Sequence, residues 1–275
     1  MRSPYVRTYI GTFKIIFLSF LLFVCFSIAF FLTGLSANGA IDSLMLLCLL
    51  DTTVFSFFVV YARFSGPKLI LTTFFIFFVS TTLVSQTDAL LQINENANVN
   101  IIPQLLTMSC ITAALYSPLA VIIHWRVRGS QSQIIRRVSM PLTEWFWKIA
   151  LLMSIYLIEH VVFLNAIFLQ LGGEAVGGIT EVAILSQALK AVLWIIIGVS
   201  VITVMNGQIR EIGLAVALII SVPVTVNLLV PSGILPLAHF TDYEAARGAY
   251  LSVLFASNFL FGWLIVLILN IKRRI

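Results

Sequence analysis

The stretch that decides the fold is the first long apolar run of the chain, IIFLSFLLFVCFSIAFFL, which occupies residues 15–32. It contains no charged side chain. A helix needs about 20 apolar residues to cross the roughly 30 Å hydrocarbon core of a bilayer, whereas the apolar core of a secretory signal peptide has only about 7–15. The run therefore predicts a retained transmembrane helix at the start of the chain.

The rest of the chain repeats this pattern, with short connections that leave no room for a separate soluble domain. Hydrophobic residues make up 60% of the sequence and charged residues 10%, with a mean hydropathy of +1.08. Soluble domains have about 45–50% apolar and about 25% charged residues. The sequence thus predicts an all-α integral membrane protein with a single polytopic domain, residues 1–275. Its bundle of about eight transmembrane helices is expected at residues 15–35, 42–61, 69–88, 101–123, 147–170, 183–205, 212–230 and 248–270.

Basic residues lie almost entirely in one of the two sets of connections between these spans. The opposite set contains only Arg247, and Lys190 lies within the sixth span. Lys and Arg in short loops mark the cytoplasmic side, so both termini are expected in the cytoplasm. The formal net charge of +5 is then a topology signal, which argues against a nucleic-acid partner. The basic set comprises Arg2, Arg7, Lys14, Arg63, Lys68, Arg126, Arg128, Arg136, Arg137, Lys148, Arg210, Lys272, Arg273 and Arg274.

Two further features bear on location and partners. The chain has no N-x-[ST] glycosylation acceptor, which is compatible with the plasma membrane of a bacterium. The longest cytoplasmic connection, RVRGSQSQIIRR, offers contacts to anionic lipid headgroups, each worth about 1 kcal/mol near the surface. Orientation alone explains its basic residues more simply. They are Arg126, Arg128, Arg136 and Arg137.

The same connection divides the chain into two halves of four spans, residues 1–137 and 138–275. Halves with an even number of spans share one orientation, as in transporters built from parallel repeats. The ends of the halves, LYSPLAVIIHWRVR and NFLFGWLIVLILNIKRR, are both apolar helices with a basic cluster. Topology alone produces that likeness, so a weak four-plus-four repeat and two unrelated halves both stay open.

Charged residues within the apolar spans single out candidate functional positions. The fifth span contains the stretch SIYLIEHVVFLN, residues 154–165, in which Glu159 stands beside His160. Asp51 lies near the middle of the second span and Lys190 in the outer half of the sixth. A charged residue near the middle of the bilayer costs about 2.5–3.5 kcal/mol on insertion scales, so each position asks for a reason.

Further polar groups share helix faces or helix ends with these charges. Tyr156 and His160 are four residues apart and therefore share one helix face. Asp88 ends a polar lane in the third span, which leads to the outer side. His239 and Asp242 are three residues apart near the outer surface, so one helical turn could present both to a metal ion or a proton. Two ligands do not make a site, and no metal is predicted.

Two interpretations of these groups stay open. In the first, Lys190 pairs with Glu159 or Asp51, and the polar groups only specify helix packing. In the second, they line a cavity open to the outer side and bind or relay a charged species. The second predicts a small transporter or permease-like component with a polar, proton-linked site in the outer half of the bilayer. Glu159 and His160 would handle a proton or a cation. Lys190 would supply a counter-charge or bind an anion, and Asp51 and Asp88 would line the route.

Two other functional classes also stay open, a membrane-embedded enzyme acting on a lipid-linked or periplasmic substrate and a non-catalytic scaffold. The enzyme would use Glu159, His160, His239 and Asp242 for acid–base chemistry. The sequence has no phosphate loop, dinucleotide fingerprint, H-E-x-x-H or G-x-S-x-G motif, and its three cysteines show no metal-ligand spacing. No cofactor is therefore predicted. The expected partners are the bilayer and a second copy of the chain or another membrane subunit.

Overall fold

The computed structural model describes residues 4–35, 41–84, 87, 101–126, 140–170, 181–227 and 244–270. Within these ranges the chain is 92% helical, and eight helices are long and apolar enough to cross a membrane. The predicted all-α membrane bundle is therefore confirmed, whereas the side on which the termini lie stays a prediction. The helices are α1 (Pro4–Thr33), α2 (Ile41–Tyr61), α3 (Gly66–Phe78), α4 (Ile101–Ile123), α5 (Leu142–Gln170), α6 (Glu181–Val204), α7 (Ile209–Asn227) and α8 (Glu244–Asn270).

Several helices begin before the predicted spans, because a helix keeps its backbone hydrogen bonds as it leaves the hydrocarbon core. One example is α3, which begins at Gly66 rather than at position 69. Pro67 occupies the first turn, where its missing N–H is tolerated, but it disfavours the right-handed helical conformation in the preceding residue. Gly66 accordingly adopts a φ of 61°, which glycine reaches without steric strain.

The helices pack as two groups of four. In the first group α1 contacts α2 and α4, and α3 contacts α4; in the second group α5 contacts α6 and α8, and α7 contacts α8. The groups meet where α2 packs against α7 and where α3 packs against α6. Helices α7 and α2 are the most enclosed of the eight, and α5 is the least enclosed. Side chains of α2 therefore lie in the protein interior, while many side chains of α5 face outwards. The four-plus-four repeat stays a prediction.

Two of the central helices are irregular. Helix α3 continues beyond Phe78 through a π turn, Val79–Leu83, which interrupts the regular hydrogen-bond ladder and which the sequence did not indicate. Helix α7 contains Pro223, a residue type that usually kinks a helix, and it runs on through this proline to Asn227. The side chain of Asn227 donates a hydrogen bond from Nδ2 to the carbonyl of Thr81 at 2.8 Å. The two irregular segments are thereby joined.

The short connections that follow α2 and α6 are bound to each other through their backbones. The N–H of Arg63 donates to the carbonyl of Val204 at 2.7 Å, and the N–H of Asn206 donates to the carbonyl of Tyr61 at 2.8 Å. This pair of bonds forms an isolated antiparallel bridge. The two bonded segments form the clasp, residues 61–63 and 204–206.

Two arginine side chains reinforce the clasp. Nε of Arg63 donates to the carbonyl of Met205 at 2.9 Å. Nη2 of Arg126 donates to the carbonyl of Ala62 and, at 3.5 Å, to that of Phe64. The guanidinium of Arg126, which the sequence offered as a lipid contact, thus bonds to the backbone between α2 and α3. The other three arginines of that expected contact, Arg128, Arg136 and Arg137, lie outside the described residues.

Candidate functional site in the membrane interior

Asp51 lies at the middle of α2, and its side chain is completely buried. Helix α2 can take this central place because most of its residues are apolar or carry small hydroxyls, and it packs against α1, α4 and α7. Neither carboxyl oxygen of Asp51 has a hydrogen-bonding partner among the described residues. A buried polar group left unpaired costs about 1–3 kcal/mol even when it carries no charge. Asp51 is therefore an unfavourable choice for packing alone.

Other buried polar groups surround this carboxyl. The phenol of Tyr116, from α4, interacts with the hydroxyl of Thr52 and with Asp51, although no atom meets hydrogen-bond geometry with its Oη. Cys48, one turn before Asp51, interacts with the carboxyl and with the thiol of Cys25 on α1. These five residues form the Asp51 cluster, which unites groups from α1, α2 and α4.

Aromatic rings close one side of the Asp51 cluster. The ring of Phe55, one turn after Asp51, lies 4.9 Å from the ring of Phe77 on α3 and 6.5 Å from that of Tyr116, centroid to centroid. The rings of Phe77 and Tyr116 are 5.1 Å apart. All three side chains are buried. Their packing excludes water from this side and holds the Tyr116 ring in a fixed position.

The sequence singled out Asp51 but missed most of its cluster. Cys48 carried a signal, because it stands three residues before Asp51 and so shares its helix face, and Thr52 is the next residue along the chain. Tyr116 and Cys25 carried none, since they come from other helices and look like ordinary apolar positions. The packing of α4 against α2 brings Tyr116 near Asp51, and the packing of α1 against α2 brings Cys25 near Cys48.

Glu159 forms a second polar centre, on α5. Its side chain is half-buried, and its carboxyl interacts with the hydroxyl of Ser257 on α8. No described residue forms a hydrogen bond with its Oε2 atom. Beside it runs a groove of about 620 Å³ between α5 and α8, with otherwise apolar walls that include Ile158 and Trp263. Ile158 is 63% exposed, so the groove faces the bilayer rather than an enclosed cavity. Tyr156 is buried one turn earlier, with its ring 4.7 Å from that of Phe261.

The structure keeps Asp51 and Glu159 apart. Helix α5 has no extensive contact with any described helix of the first group, so the two acids belong to separate polar centres. Lys190 is half-buried on α6, one turn from the buried side chains of Ser186 and Gln187. It does not pair with Asp51, whose oxygens have no hydrogen-bonding partner in the described part of the chain. The ion pair between them that one interpretation of the sequence allowed is therefore absent.

The remaining candidates divide between described and undescribed parts of the chain. His160 is half-buried beside Glu159 on α5. Asp88, His239 and Asp242 lie outside the described residues, so their predicted roles stay predictions. Where side chains are described, no group of three His, Cys, Asp or Glu residues is arranged to hold a metal ion.

Lys148 is the charged residue whose environment differs most from its sequence interpretation. The sequence assigned it to the cytoplasmic connection as a topology signal, but the structure places it within α5 with a completely buried side chain. Its Nζ lies 2.8 Å from Oε1 of Glu144 and 3.4 Å from the carbonyl of Leu269 near the end of α8. The sequence showed the four-residue spacing of Glu144 and Lys148, but only packing against α8 buries the pair.

His124 lies just beyond the end of α4, outside the apolar span. Burial, together with a smaller effect of the nearby charge of Lys14, lowers the pKa of His124 from 6.5 to about 4. Its Nε2 atom is buried without a hydrogen-bonding partner. His124 is therefore a neutral, structural histidine at neutral pH.

No family model, curated protein or solved structure matches this chain. Function must therefore be argued from the two polar centres themselves. Of the two, the Asp51 cluster is the more enclosed and combines groups from three helices.

Proposed function

We propose that the protein is a small proton-linked membrane transporter in which Asp51 takes up and releases the proton. The supporting observation is a fully buried carboxyl at the middle of a central helix, with no hydrogen-bonding partner in the described residues. Ionisable groups inside membrane proteins typically mark ion pathways and proton relays. A carboxyl without a nearby cation has to bind a proton or a cation whenever the site is closed to water, and this makes it a carrier.

The proposal changes the order of importance of the sequence candidates. Glu159 and His160 lie on the least enclosed helix, beside a groove that faces the bilayer, so we assign them a secondary role. Lys190 then stands apart from the principal site, as a separate charge on α6. In this proposal both termini lie in the cytoplasm, as the distribution of Lys and Arg favours. The membrane is the plasma membrane of a bacterium, with which the missing N-x-[ST] acceptor is compatible. Contact of anionic lipids with the connection at 127–139 remains part of the proposal.

The two alternative classes explain the Asp51 cluster less well. A scaffold gains nothing from an unpaired buried carboxyl, because an apolar residue of similar size packs without the cost of about 1–3 kcal/mol. An enzyme needs a cleft that admits its substrate to an acid–base pair, whereas the side chain of Asp51 is completely buried. In a transporter, by contrast, the binding site is closed to water in one of the states of the transport cycle.

The proposal can be tested with purified protein in liposomes. A membrane potential is imposed, and proton entry is followed with a pH-sensitive dye trapped inside the vesicles. We expect Asp51→Asn to abolish proton entry, because an amide cannot release a proton. Asp42→Asn is the matched control, since Asp42 lies in the exposed first turn of the same helix. Wild-type vesicles without proton entry, or Asp51→Asn vesicles that equal the wild type, would contradict the proposal.

A further inference from the structure

The helix contacts of the two groups correspond pair by pair. Each contact among α1–α4 has a counterpart among α5–α8 when every helix is replaced by the one four places later. The contacts of α1 with α2 and α4 correspond to those of α5 with α6 and α8, and the contact of α3 with α4 corresponds to that of α7 with α8. The contacts between the groups follow the same rule, because α2 with α7 becomes α6 with α3. Shared topology alone does not require this correspondence.

The residue register supports the correspondence. The same number of residues separates Tyr61 from Val204, at the ends of α2 and α6, and Gly66 from Ile209, at the starts of α3 and α7. At that separation the buried faces of α2 and α6 also coincide. The buried pairs are Cys48 with Ala191, Asp51 with Trp194, Thr52 with Ile195, Val54 with Ile197, Phe58 with Val201 and Val59 with Ile202.

The clasp has the symmetry that a twofold axis requires. The counterpart of Arg63 in this register is Asn206, and the counterpart of Val204 is Tyr61. Exchanging each residue for its counterpart therefore turns the bond from Arg63 N–H to the Val204 carbonyl into the bond from Asn206 N–H to the Tyr61 carbonyl. A contact that is exchanged with itself in this way is isologous, as at a twofold axis between subunits. The axis between the two groups therefore passes through the clasp.

The irregular segments of α3 and α7 also correspond. Ser80, in the π turn of α3, has Pro223 of α7 as its counterpart in this register. Both features interrupt the helical hydrogen-bond ladder, which makes a helix easier to bend. The two segments contact each other across the interface, where the bond from Asn227 to the Thr81 carbonyl joins them. We call this contact the seam.

We infer that the chain consists of two equivalent four-helix units around a pseudo-twofold axis, which pivot at the clasp and part at the seam. This inference rests on the proposed transport function. The clasp is held by two backbone hydrogen bonds and by the side chains of Arg63 and Arg126. The seam instead joins two segments whose helical hydrogen-bond ladders are interrupted, by the π turn of α3 and by Pro223 of α7. In parallel-repeat transporters, the two units rock against each other around a site at their interface. The seam is then the gate through which the proton-binding site opens.

The units have diverged at their centres. Asp51 in the first unit corresponds to Trp194 in the second, and both side chains are completely buried. An indole thus stands in the second unit where the first unit has a carboxyl. Only the first unit therefore retains the proton-binding centre, and the second unit acts as its partner in the rocking motion.

Cross-linking at the two ends of the interface tests the inference. Ala62 and Met205 form a non-hydrogen-bonded antiparallel pair, for which Cα atoms lie about 4.5 Å apart. The double variant A62C/M205C places two thiols at the clasp, and T81C/N227C places two at the seam. Both are treated in liposomes with the same short bis-methanethiosulfonate reagent, and proton entry is measured before linking, after linking and after reduction. The four single-cysteine variants show whether the native thiols Cys25, Cys48 and Cys110 react.

We expect a linked clasp to leave proton entry unchanged and a linked seam to abolish it, with recovery on reduction. Loss of proton entry on linking the clasp, or full entry with a linked seam, overturns the pivot while leaving the transport proposal intact. If neither the wild type nor the double variants transport protons before linking, the transport proposal is overturned, and the pivot with it. The wild type could transport protons while T81C/N227C fails to do so even before linking. In that case proton entry is measured with the conservative variant T81S/N227Q. A gate formed by the seam requires that this variant retains proton entry, and its loss overturns the gate.

Discussion

The Nζ atom of Lys148 lies 2.8 Å from Oε1 of Glu144, one turn earlier on α5, and the lysine side chain is completely buried. The same ammonium group lies 3.4 Å from the carbonyl of Leu269 and 3.1 Å from Sδ of Met140. A cation near the last carbonyls of a helix is favourable. Lys148 therefore ties the beginning of α5 to the end of α8.

Loss of this ammonium group should destabilise the protein strongly. Lys148→Met leaves the carboxylate of Glu144, which is only 16% exposed, without its partner, and breaking a buried pair in this way costs about 3–5 kcal/mol. The measurement is thermal unfolding in detergent, followed by circular dichroism. Lys68→Met is the control, because Lys68 is exposed at the start of α3. The double variant E144L/K148M should recover most of the loss, since no charge is left unpaired. A single variant as stable as the wild type would show that the pair contributes nothing.

Replacement of the buried carboxyl at position 51 should have the opposite effect on stability. Asp51→Val removes two oxygens for which the described residues offer no hydrogen-bonding partner, which should raise the free energy of unfolding by about 1–3 kcal/mol. Thr53→Val, at an exposed position two residues later, should leave it unchanged. Unfolding is measured as before, and proton entry into liposomes is measured in parallel. A gain in stability together with a loss of proton entry is the expected outcome. A destabilised Asp51→Val protein would mean that the carboxyl has a stabilising partner.

Two glycines of α8 should respond differently to the same substitution. A Cβ atom at Gly262 would lie 2.5 Å from Cα of Ala217 on α7, whereas one at Gly248 would have no atom within 4 Å. Gly262→Ala should therefore force α7 and α8 apart and destabilise the protein by about 1–3 kcal/mol, as overpacking does. Gly248→Ala should be neutral or stabilise it by up to about 1 kcal/mol, because alanine favours the helix. Equal unfolding temperatures for the two variants would contradict this packing.

Protonation of His124 should lower the stability of the protein as the pH falls. Its pKa is about 4 in the folded protein and 6.5 in the absence of structure, so the unfolded chain binds the proton more readily. The contribution of the neutral side chain to stability is therefore fully present above about pH 6.5 and is lost as the pH falls towards 4. Unfolding temperatures measured across this range should decline less steeply for His124→Gln than for the wild type. Parallel pH profiles of the two proteins would exclude His124 as the source.

The sequence predicted the fold class well because bilayer thickness imposes a local rule. The run at residues 15–32 is identified as a span by its length and composition, with no knowledge of its neighbours. The same rule gave no sign that the side chain of Lys148 is buried, because one charge beside Trp147 resembles a membrane boundary. It also said nothing of the π turn at Val79–Leu83, since π turns have no sequence signature comparable to that of proline.

The candidate site was predictable only in part. Asp51 was visible as a charged residue in an apolar span, because the cost of burial applies to each residue separately. Its relation to Tyr116, Cys25 and Lys190 was not visible, since it depends on which helices are neighbours. The sequence therefore ranked Glu159 and His160 first, while the packing makes Asp51 the more enclosed acid.

The sequence by itself determined that the chain forms eight apolar helices, because each span must satisfy its backbone hydrogen bonds within its own residues. The tertiary structure alone decided that α1 and α4 enclose Asp51, that α8 buries Lys148, and that the backbones at Ala62 and Met205 meet. The physical reason is that helices in lipid associate through close packing and hydrogen bonds between surfaces, and apolar surfaces of nearly uniform composition do not reveal their partners.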